Sequence, residues 1–256
     1  VRGRAGMRWR VRSSQGYTGS NGPPAVHRLA GLLAALAAVS TAQGGTWLVV
    51  GGPPGPGLVE RFLQRHEDSR WNFPARGRLS ALPLFPDQEA LREAFPGCRI
   101  VSLRGEAGSG ADCFRQAKTV LGEWRMHDGA RATRIFHHEG SGMVATAAAS
   151  LPGLWSLNPC METRPTCRHT GGPVEVARSF SVGYSTLQGH LLAGEERMTV
   201  AIDRSGKVWC EVLSVSRGSG LLGSLALALS TRTQARFFND QLRCMCSSCS
   251  QGSDAH

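Results

Sequence analysis

Lysine is nearly missing from this chain. Of its 29 basic residues only Lys118 and Lys207 are lysine; the other 27 are arginine. A GC-rich coding sequence accounts for such a bias more simply than phosphate binding does. Acid is absent from residues 1–59, the first carboxylate being Glu60. That stretch holds Arg2, Arg4, Arg8, Arg10, Arg12 and Arg28, so six of the ten net positive charges lie in it and residues 60–256 carry only four. A nucleic-acid surface needs a basic stripe with interleaved aromatics on the folded part. None is visible, and no nucleic-acid partner is expected. No stretch of 18 uncharged apolar residues is dominated by large side chains, which excludes a multi-span membrane protein. The 32 glycines and 13 prolines follow no period, which excludes collagen and coiled coil. There is no internal repeat. Ser141 and Ser150 are not set in the Gly-x-Ser-x-Gly turn of a serine hydrolase. The run Gly51-Gly52-Pro53-Pro54-Gly55-Pro56-Gly57 lacks the Lys-Ser/Thr ending of a phosphate loop, and its prolines remove the amide donors such a loop needs.

What is present is enough for a packed domain: 256 residues, 41% hydrophobic and 19% charged, a composition able to bury a sizeable core. Residues 1–44 read as a leader. They are Arg-rich, acid-free and dotted with Ser, Thr and Gly, which suits an organelle transit peptide. A signal-peptide reading competes, since His27-Arg28 precede the apolar run Leu29–Val39 and Ser40-Thr41-Ala42 would suit cleavage. The expected address is an organelle, with a chloroplast favoured and the secretory pathway or cytoplasm as alternatives. Residues 45–247 are expected to form one domain and residues 248–256 a disordered tail, with no transmembrane span in the mature domain.

The eight cysteines make no tidy secreted framework, and a chain of this length needs no staples. Cys113 and Cys210 sit in apolar-periodic segments and read as small buried hydrophobes. Cys244-Met245-Cys246-Ser247-Ser248-Cys249 lacks both a fourth ligand and the second cysteine pair of a zinc ribbon, and Cys160, Cys167 and His169 have no standard spacing. No metal and no cofactor are expected.

Hydrophobic periodicity orders the rest. Trp47–Val50 reads as a strand and Leu58–His66 as a short helix. Residues 74–86 read as a loop, and Asp87 caps a helix that Pro96-Gly97 terminates. Cys98–Leu103 is a strand. Phe114, Ala117, Val120, Leu121 and Trp124 recur at helical spacing after Gly108-Ser109-Gly110. The period then changes to two. Met198, Val200 and Ile202, then Val208, Cys210 and Val212, alternate with polar positions across the turn Asp203-Arg204-Ser205-Gly206. Arg131–His137, Met143–Ala149, Trp155–Glu162 and Val174–Tyr184 are further strands. Helical spacing returns with Leu221, Leu225, Leu229, Phe238 and Leu242, over about Gly220–Arg243. Strands grouped in sequence with helices set apart predict an α+β fold, a curved antiparallel sheet packed on a long C-terminal helix.

One stretch is more specific than any period. Tyr184-Ser185-Thr186-Leu187-Gln188-Gly189-His190-Leu191-Leu192-Ala193-Gly194-Glu195-Glu196-Arg197 resembles the signature of uncharacterised protein family 0548, whose plant members carry a nearly identical Thr-Leu-Gln-Gly-His-Leu-Leu-Ala-Gly-Glu-Glu run. Trp71-Asn72-Phe73, the helix from Gly108 to Trp124, Trp155-Ser156-Leu157-Asn158-Pro159 and Val208–Ser216 resemble its other elements in order, so the resemblance covers about residues 46–245. The sequence departs from the family at Val182-Gly183-Tyr184-Ser185-Thr186, at Gly218, where a proline is usual near the end of that element, and over Thr163–Pro173. The resemblance implies no reaction. Plant members described as chloroplast-envelope-like fit a transit peptide. The layout is similar by analogy to START-like, helix-grip lipid carriers, which is an inference from element order.

The Tyr184–Glu196 segment is expected to be a loop between two strands. His190 and Glu195 are the candidate catalytic pair, since an imidazole and a carboxylate that converge can move a proton. Against this, no nucleophile-base-orienter set is visible, and a glycine-rich connection with His190 bonded to backbone and Glu195 paired with an arginine accounts for the same residues. Tyr184, Thr186, His190 and Glu195, with Trp155 and Trp209 as apolar walls, are the candidate ligand-binding set, though aromatics at strand positions more often fill interiors. His137-His138-Glu139 resembles a ligand cluster, but neighbours in a strand point to opposite faces. Three functions remain open. The first binds an apolar small molecule or lipid in a cavity between sheet and helix. The second is an enzyme using His190 and Glu195, and the third a protein-interaction module.

Overall fold

The fold is seen in a computed structural model that describes residues 45–128, 130, 132–138, 140–151, 153–163, 175–219 and 231–249. The leader of residues 1–44, part of the irregular Thr163–Pro173 segment, and Leu221, Leu225 and Leu229 of the expected C-terminal helix fall outside the described residues.

Eight strands form one antiparallel sheet: β1 (Trp47–Val50), β2 (Arg99–Ser109), β3 (Thr133–His137), β4 (Met143–Leu151), β5 (Leu154–Thr163), β6 (Val176–Thr186), β7 (Leu192–Asp203) and β8 (Lys207–Gly218). Their order across the sheet is β2-β8-β7-β6-β5-β4-β3. β5 divides one of its edges between two partners. Its first half pairs with β1, Trp47 opposite Leu157, and its second half with β6, Cys160 opposite Thr186. Register shifts at Glu106/Gly108, Ala149/Leu151 and Val176/Arg178 interrupt the ladders, and such irregularities bend a strand and sharpen its twist.

The helices are α1 (Pro56–Arg65), α2 (Arg78–Ala81), α3 (Gln88–Ala94), α4 (Gly110–Gly122) and α5 (Thr231–Ser247). Each starts where its sequence allows. Pro56 opens α1, where its missing N–H costs nothing. The Asp87 carboxylate accepts the Ala90 N–H at 2.8 Å and caps α3. Gly110, at φ 87, lets β2 turn directly into α4. α2 corrects the expectation of an unbroken loop over residues 74–86. Four residues are too few to show a period, and α2 is held instead by side chains of the sheet.

The strand period of two sorts the sheet into two faces, and both are covered. On one, α1 lays Val59, Phe62 and Leu63 against Phe136, Ala145, Trp155 and Leu157. Phe73, Leu79, Leu91 and Phe95 from α2, α3 and their flanks pack on Leu213 and Val215. On the other, α4 and α5 set Phe114, Ala117, Leu121, Phe237, Phe238 and Met245 over Val182, Met198, Val200, Cys210 and Val212. Fully burying a side chain of this size stabilises by roughly 1.5–3 kcal/mol. The α+β class, the antiparallel sheet and the C-terminal helix packed on it are therefore as the sequence predicts. Among the described residues, no helix is long and apolar enough to cross a membrane.

Cys113 corrects a further expectation. It is not a lone buried thiol but is disulfide-bonded to Cys249, 136 residues away. The bond fastens the chain end after α5 to the first turns of α4, so Ser248 and Cys249, placed in the tail by sequence, lie against the fold.

Candidate functional site

The segment Tyr184–Glu196 is mostly strand, not loop. β6 runs through Thr186 and β7 begins at Leu192, leaving residues 187–191 as the connection. This connection docks on the start of the fold. Gly189 adopts φ 94, and its carbonyl accepts the Thr46 N–H at 2.8 Å and the Thr46 hydroxyl at 3.0 Å. A Cβ on Gly189 would stand 2.4 Å from the Gly45 Cα, so both glycines are needed for the approach. Trp71 bridges to Leu187, and the Asn72 amide donates to the Leu192 carbonyl at 3.1 Å. Thr186 donates its hydroxyl to Asn72 and receives the Gly194 N–H at 2.9 Å. The two stretches that resemble the family signature are thus bonded to each other.

The candidate pair His190 and Glu195 is engaged separately. The His190 Nδ1 accepts the Leu192 N–H at 2.9 Å, and burial lowers its pKa to about 4, so the ring is neutral at pH 7. The Glu195 carboxylate faces the N-terminal helices, where it accepts the Gly77 N–H at 2.9 Å and the Ser80 hydroxyl at 3.4 Å at the start of α2. Burial raises its pKa, which these bonds oppose. Among the described residues no hydrogen bond joins the two. Beside Glu195 on the same face, buried Arg197 donates to the carbonyls of Leu79, Leu82 and Pro83 and pairs with Glu211 at 3.0 Å.

Trp155 and Trp209 also point to this face. Trp155 packs beside Leu157 with the Arg134 guanidinium 5.8 Å from its ring. Trp209 lies beside Leu84, Phe85 and Ala201 and donates its indole N–H to Asp203 at 2.9 Å. They wall the space under the N-terminal helices, not the space between the sheet and α5.

The side facing α4 and α5 holds a polar group that sequence reasoning did not single out. Glu196 is adjacent to Glu195 and so points to the opposite face. Its carboxylate accepts the Tyr184 hydroxyl, the Ser214 hydroxyl at 3.5 Å, and a hydrogen bond from Gln241 of α5. Burial raises its pKa to about 7, and the three neutral donors hold the value down. The network continues. Gln241 Nε2 lies 3.0 Å from His127 Nε2, and His127 Nδ1 lies 3.0 Å from the Thr133 hydroxyl. Burial, and next the charge of Arg134, lowers the His127 pKa to about 3, which keeps its ring neutral. Gln241 therefore gives one amide hydrogen to His127 and one to Glu196, and its Oε1 has no partner among the described residues. Cys160 lies close enough that Glu196, after burial, raises its thiol pKa. Burial, and next Glu196, does the same to Tyr184.

Trp124 closes one side of this network. Its backbone is left-handed, at φ 56, just past the end of α4. That conformation costs a non-glycine residue about 1–2 kcal/mol and persists only where surrounding contacts hold it. It turns the indole onto His137, stacked at 4.9 Å, with Tyr184 at 6.2 Å. His137 pairs with Glu162 at 3.1 Å, whereas His138 turns to Ser141 at 2.6 Å. Of the residues marked from sequence, only Tyr184 belongs to this network. Glu196 could have been found from the strand period alone, since it shares parity with Met198, Val200 and Ile202. Gln241 and His127 carry no local signal, because nothing in sequence shows that α5 and the turn after α4 meet.

The arrangement is a half-buried carboxyl, poised between its neutral and ionised forms near pH 7, in a chain of phenol, hydroxyl, amide and imidazole groups beside an apolar core. It can accept or donate a hydrogen bond or a proton near neutral pH. Among the described residues there is no cluster of three metal-ligating side chains.

Similarity to known proteins agrees with the signature. A UPF0548 protein of Arabidopsis thaliana is 31% identical over 140 residues, which are 50% of this chain and 62% of that protein. This chain thus spans less than two thirds of that relative's length. A UPF0548 protein of Deinococcus radiodurans is 27% identical over 176 residues, 65% of this chain and 81% of the relative. Among solved structures, Ara h 8.0201 has a TM-score of 0.36 at 12% identity over 61% of this chain and all of that one. Truncated norcoclaurine synthase from Thalictrum flavum has a TM-score of 0.33 at 10% identity over 62% of this chain and 95% of that one. Residues 86–244, which include Tyr184, Glu196 and Gln241, match the family described as a domain of unknown function, DUF1990, and to that family this chain belongs.

Proposed function

We propose that the domain binds a small molecule with an apolar body and a hydrogen-bonding head between the sheet and helices α4 and α5, with Glu196 as the group that recognises the head. One observation carries this reading. A half-buried carboxyl whose pKa is about 7 sits among Tyr184, Ser214 and Gln241, on the sheet face whose other residues, Met198, Val200 and Val212, pack as apolar core. Burying an ionisable group without a charged partner costs several kcal/mol. The unpartnered Gln241 Oε1 beside it supports a ligand that donates a hydrogen bond, such as an alcohol, a phenol or an amine. Apolar walls with a few convergent polar groups are the usual composition of a small-molecule site.

The pKa of Glu196 favours a second reading, acid–base catalysis on the bound molecule with Tyr184 as its partner, because a group poised near neutrality both takes and gives a proton readily. Both readings replace the pairing of His190 with Glu195 by a site on the opposite face of the sheet.

Native mass spectrometry of the full chain purified from cells tests the proposal. A reproducible added mass that disappears on denaturation, and is lost in Glu196→Gln, is the expected result. A bare mass, together with unchanged tryptophan fluorescence on titration with a fatty acid, a phenol and an aliphatic amine, overturns it. Turnover of a bound compound by wild type but not by Glu196→Gln distinguishes catalysis from carriage.

A further inference from the structure

The C-terminal helix carries a second cysteine relationship besides its disulfide. Cys246 sits on α5, directly over Gly105 of β2. A Cβ added to Gly105 would stand 2.9 Å from the Cys246 sulfur, so the glycine is what admits it. The residue opposite Gly105 across the ladder is Cys210 of β8. Directly opposed residues hold their Cβ atoms about 5 Å apart, so the sulfur over Gly105 lies beside Cys210, and the two thiols are hydrogen-bonded. Cys210 is fully buried and Cys246 half-buried. The Cys113–Cys249 disulfide belongs to the same cluster.

We propose that Cys210 and Cys246 are an oxidisable pair that a hydroperoxide converts into a second disulfide, fixing α5 to β8. The half-buried Cys246 is the thiol a peroxide reaches, and its bond from Cys210 lowers its pKa, which favours the reactive thiolate. Its sulfur attacks one peroxide oxygen. The O–O bond breaks, and with hydrogen peroxide the leaving hydroxide takes up a proton and departs as water, leaving a sulfenic acid on Cys246. Cys210, shielded from solvent and already in contact, then attacks that sulfur. The S–S bond forms, the S–OH bond breaks, and the Cys210 proton leaves with the hydroxyl as a second water. Two thiols and one hydrogen peroxide give one disulfide and two waters. The other three described thiols are placed elsewhere: Cys244 donates to the Arg125 carbonyl, Cys160 lies under the Glu196 network, and Cys98 packs on the Leu91 and Phe95 cluster near Arg217.

The digestion pattern of the full chain reads the result directly. Trypsin releases Cys113 in residues 105–115, Cys210 in residues 208–217, and Cys244, Cys246 and Cys249 together in residues 244–256. The protein is treated with hydrogen peroxide, denatured in acid, alkylated with N-ethylmaleimide and digested without reductant. Untreated protein is expected to yield 105–115 joined to 244–256, with 208–217 carrying maleimide. Treated protein is expected to yield all three peptides in one species. Cys210→Ser is expected to leave Cys246 as a sulfenic acid that dimedone traps, which keeps the proposal testable without the crosslink. Peptide 208–217 still alkylated after treatment, or a Cys246–Cys249 bond with Cys113 released, overturns it.

Discussion

Glu195 and Glu196 are neighbours in β7, and their carboxylates lie on opposite faces of the sheet. Glu195 binds the start of α2 through Gly77 and Ser80, while Glu196 binds Tyr184, Ser214 and Gln241 beneath α5. One acid secures the N-terminal helices and the other supplies the only carboxyl of the network against α5 among the described residues. Substitutions at these two positions are therefore expected to separate into different phenotypes.

Replacing Glu196 by Gln should change how stability depends on pH. The native carboxyl titrates near 7, above its ordinary value of 4.5. Between these values the native state binds more protons than the unfolded state, so this group's contribution is complete below pH 4.5 and lost as pH rises through 7. The stability of Glu196→Gln minus that of wild type should rise over this window by on the order of 2–3 kcal/mol. Urea denaturation from pH 4.5 to 8 measures it, and a pH-independent difference would contradict the assignment.

Replacing His190 by Asn should act in the opposite sense. The native ring titrates near 4, below its ordinary 6.5. Wild type therefore loses stability as pH falls from 6.5 through 4, where the unfolded chain takes up the proton first. The Asn side-chain oxygen can accept the Leu192 N–H in place of Nδ1. The variant should fold at neutral pH and show a shallower loss on acidification, read from the same denaturation series.

Arg197→Ala should be among the most damaging single changes. The guanidinium is buried, satisfies three carbonyls of residues 79–83 and pairs with Glu211. Removing one partner of such a pair costs about 3–5 kcal/mol. Limited proteolysis should cut first within residues 77–85. Arg197→Lys should rescue only part, because an ammonium cannot span the same fork of acceptors.

Gly189→Ala should destabilise by about 2 kcal/mol or more, since the methyl group would meet the Gly45 backbone and φ is positive. Thermal unfolding gives the shift. Gly206→Ala, also at positive φ but with open space around it, provides the comparison that isolates the steric part.

Much of the fold was readable because its elements are long and periodic. The alternation through Met198, Val200 and Ile202 and through Val208, Cys210 and Val212 marks β7 and β8. The stripe Phe114, Ala117 and Leu121 marks α4, all three buried. Asp203 opens the β7–β8 turn as expected, accepting the N–H of Ser205 and of Lys207. What sequence missed is non-local. The expected loop of residues 74–86 contains α2 because Glu195 and Arg197, more than a hundred residues away, supply its bonds. The disulfide joins cysteines 136 residues apart. The family signature spans both faces of the sheet, and its residues therefore divide between two sides. Its histidine and first glutamate drew attention as a pair, whereas the second glutamate is the one under α5, and its partner Gln241 lies on a helix whose packing was expected but whose residue-by-residue contacts no local pattern encodes.

The pairing of β1 with β5 orders events during synthesis. Trp47 has no strand partner until Leu157, more than a hundred residues later, has left the ribosome. Ladders closed at such separation are slow to form. β1 therefore cannot dock before β5 is made, β2 waits longer for β8, and the Gly45–Gly189 approach waits for the connection after β6. A nascent chain stalled before Gly189 would hold the strands that α1 covers but lack the carbonyl that fastens Thr46. In this protein the family signature is where two segments made far apart in time are joined.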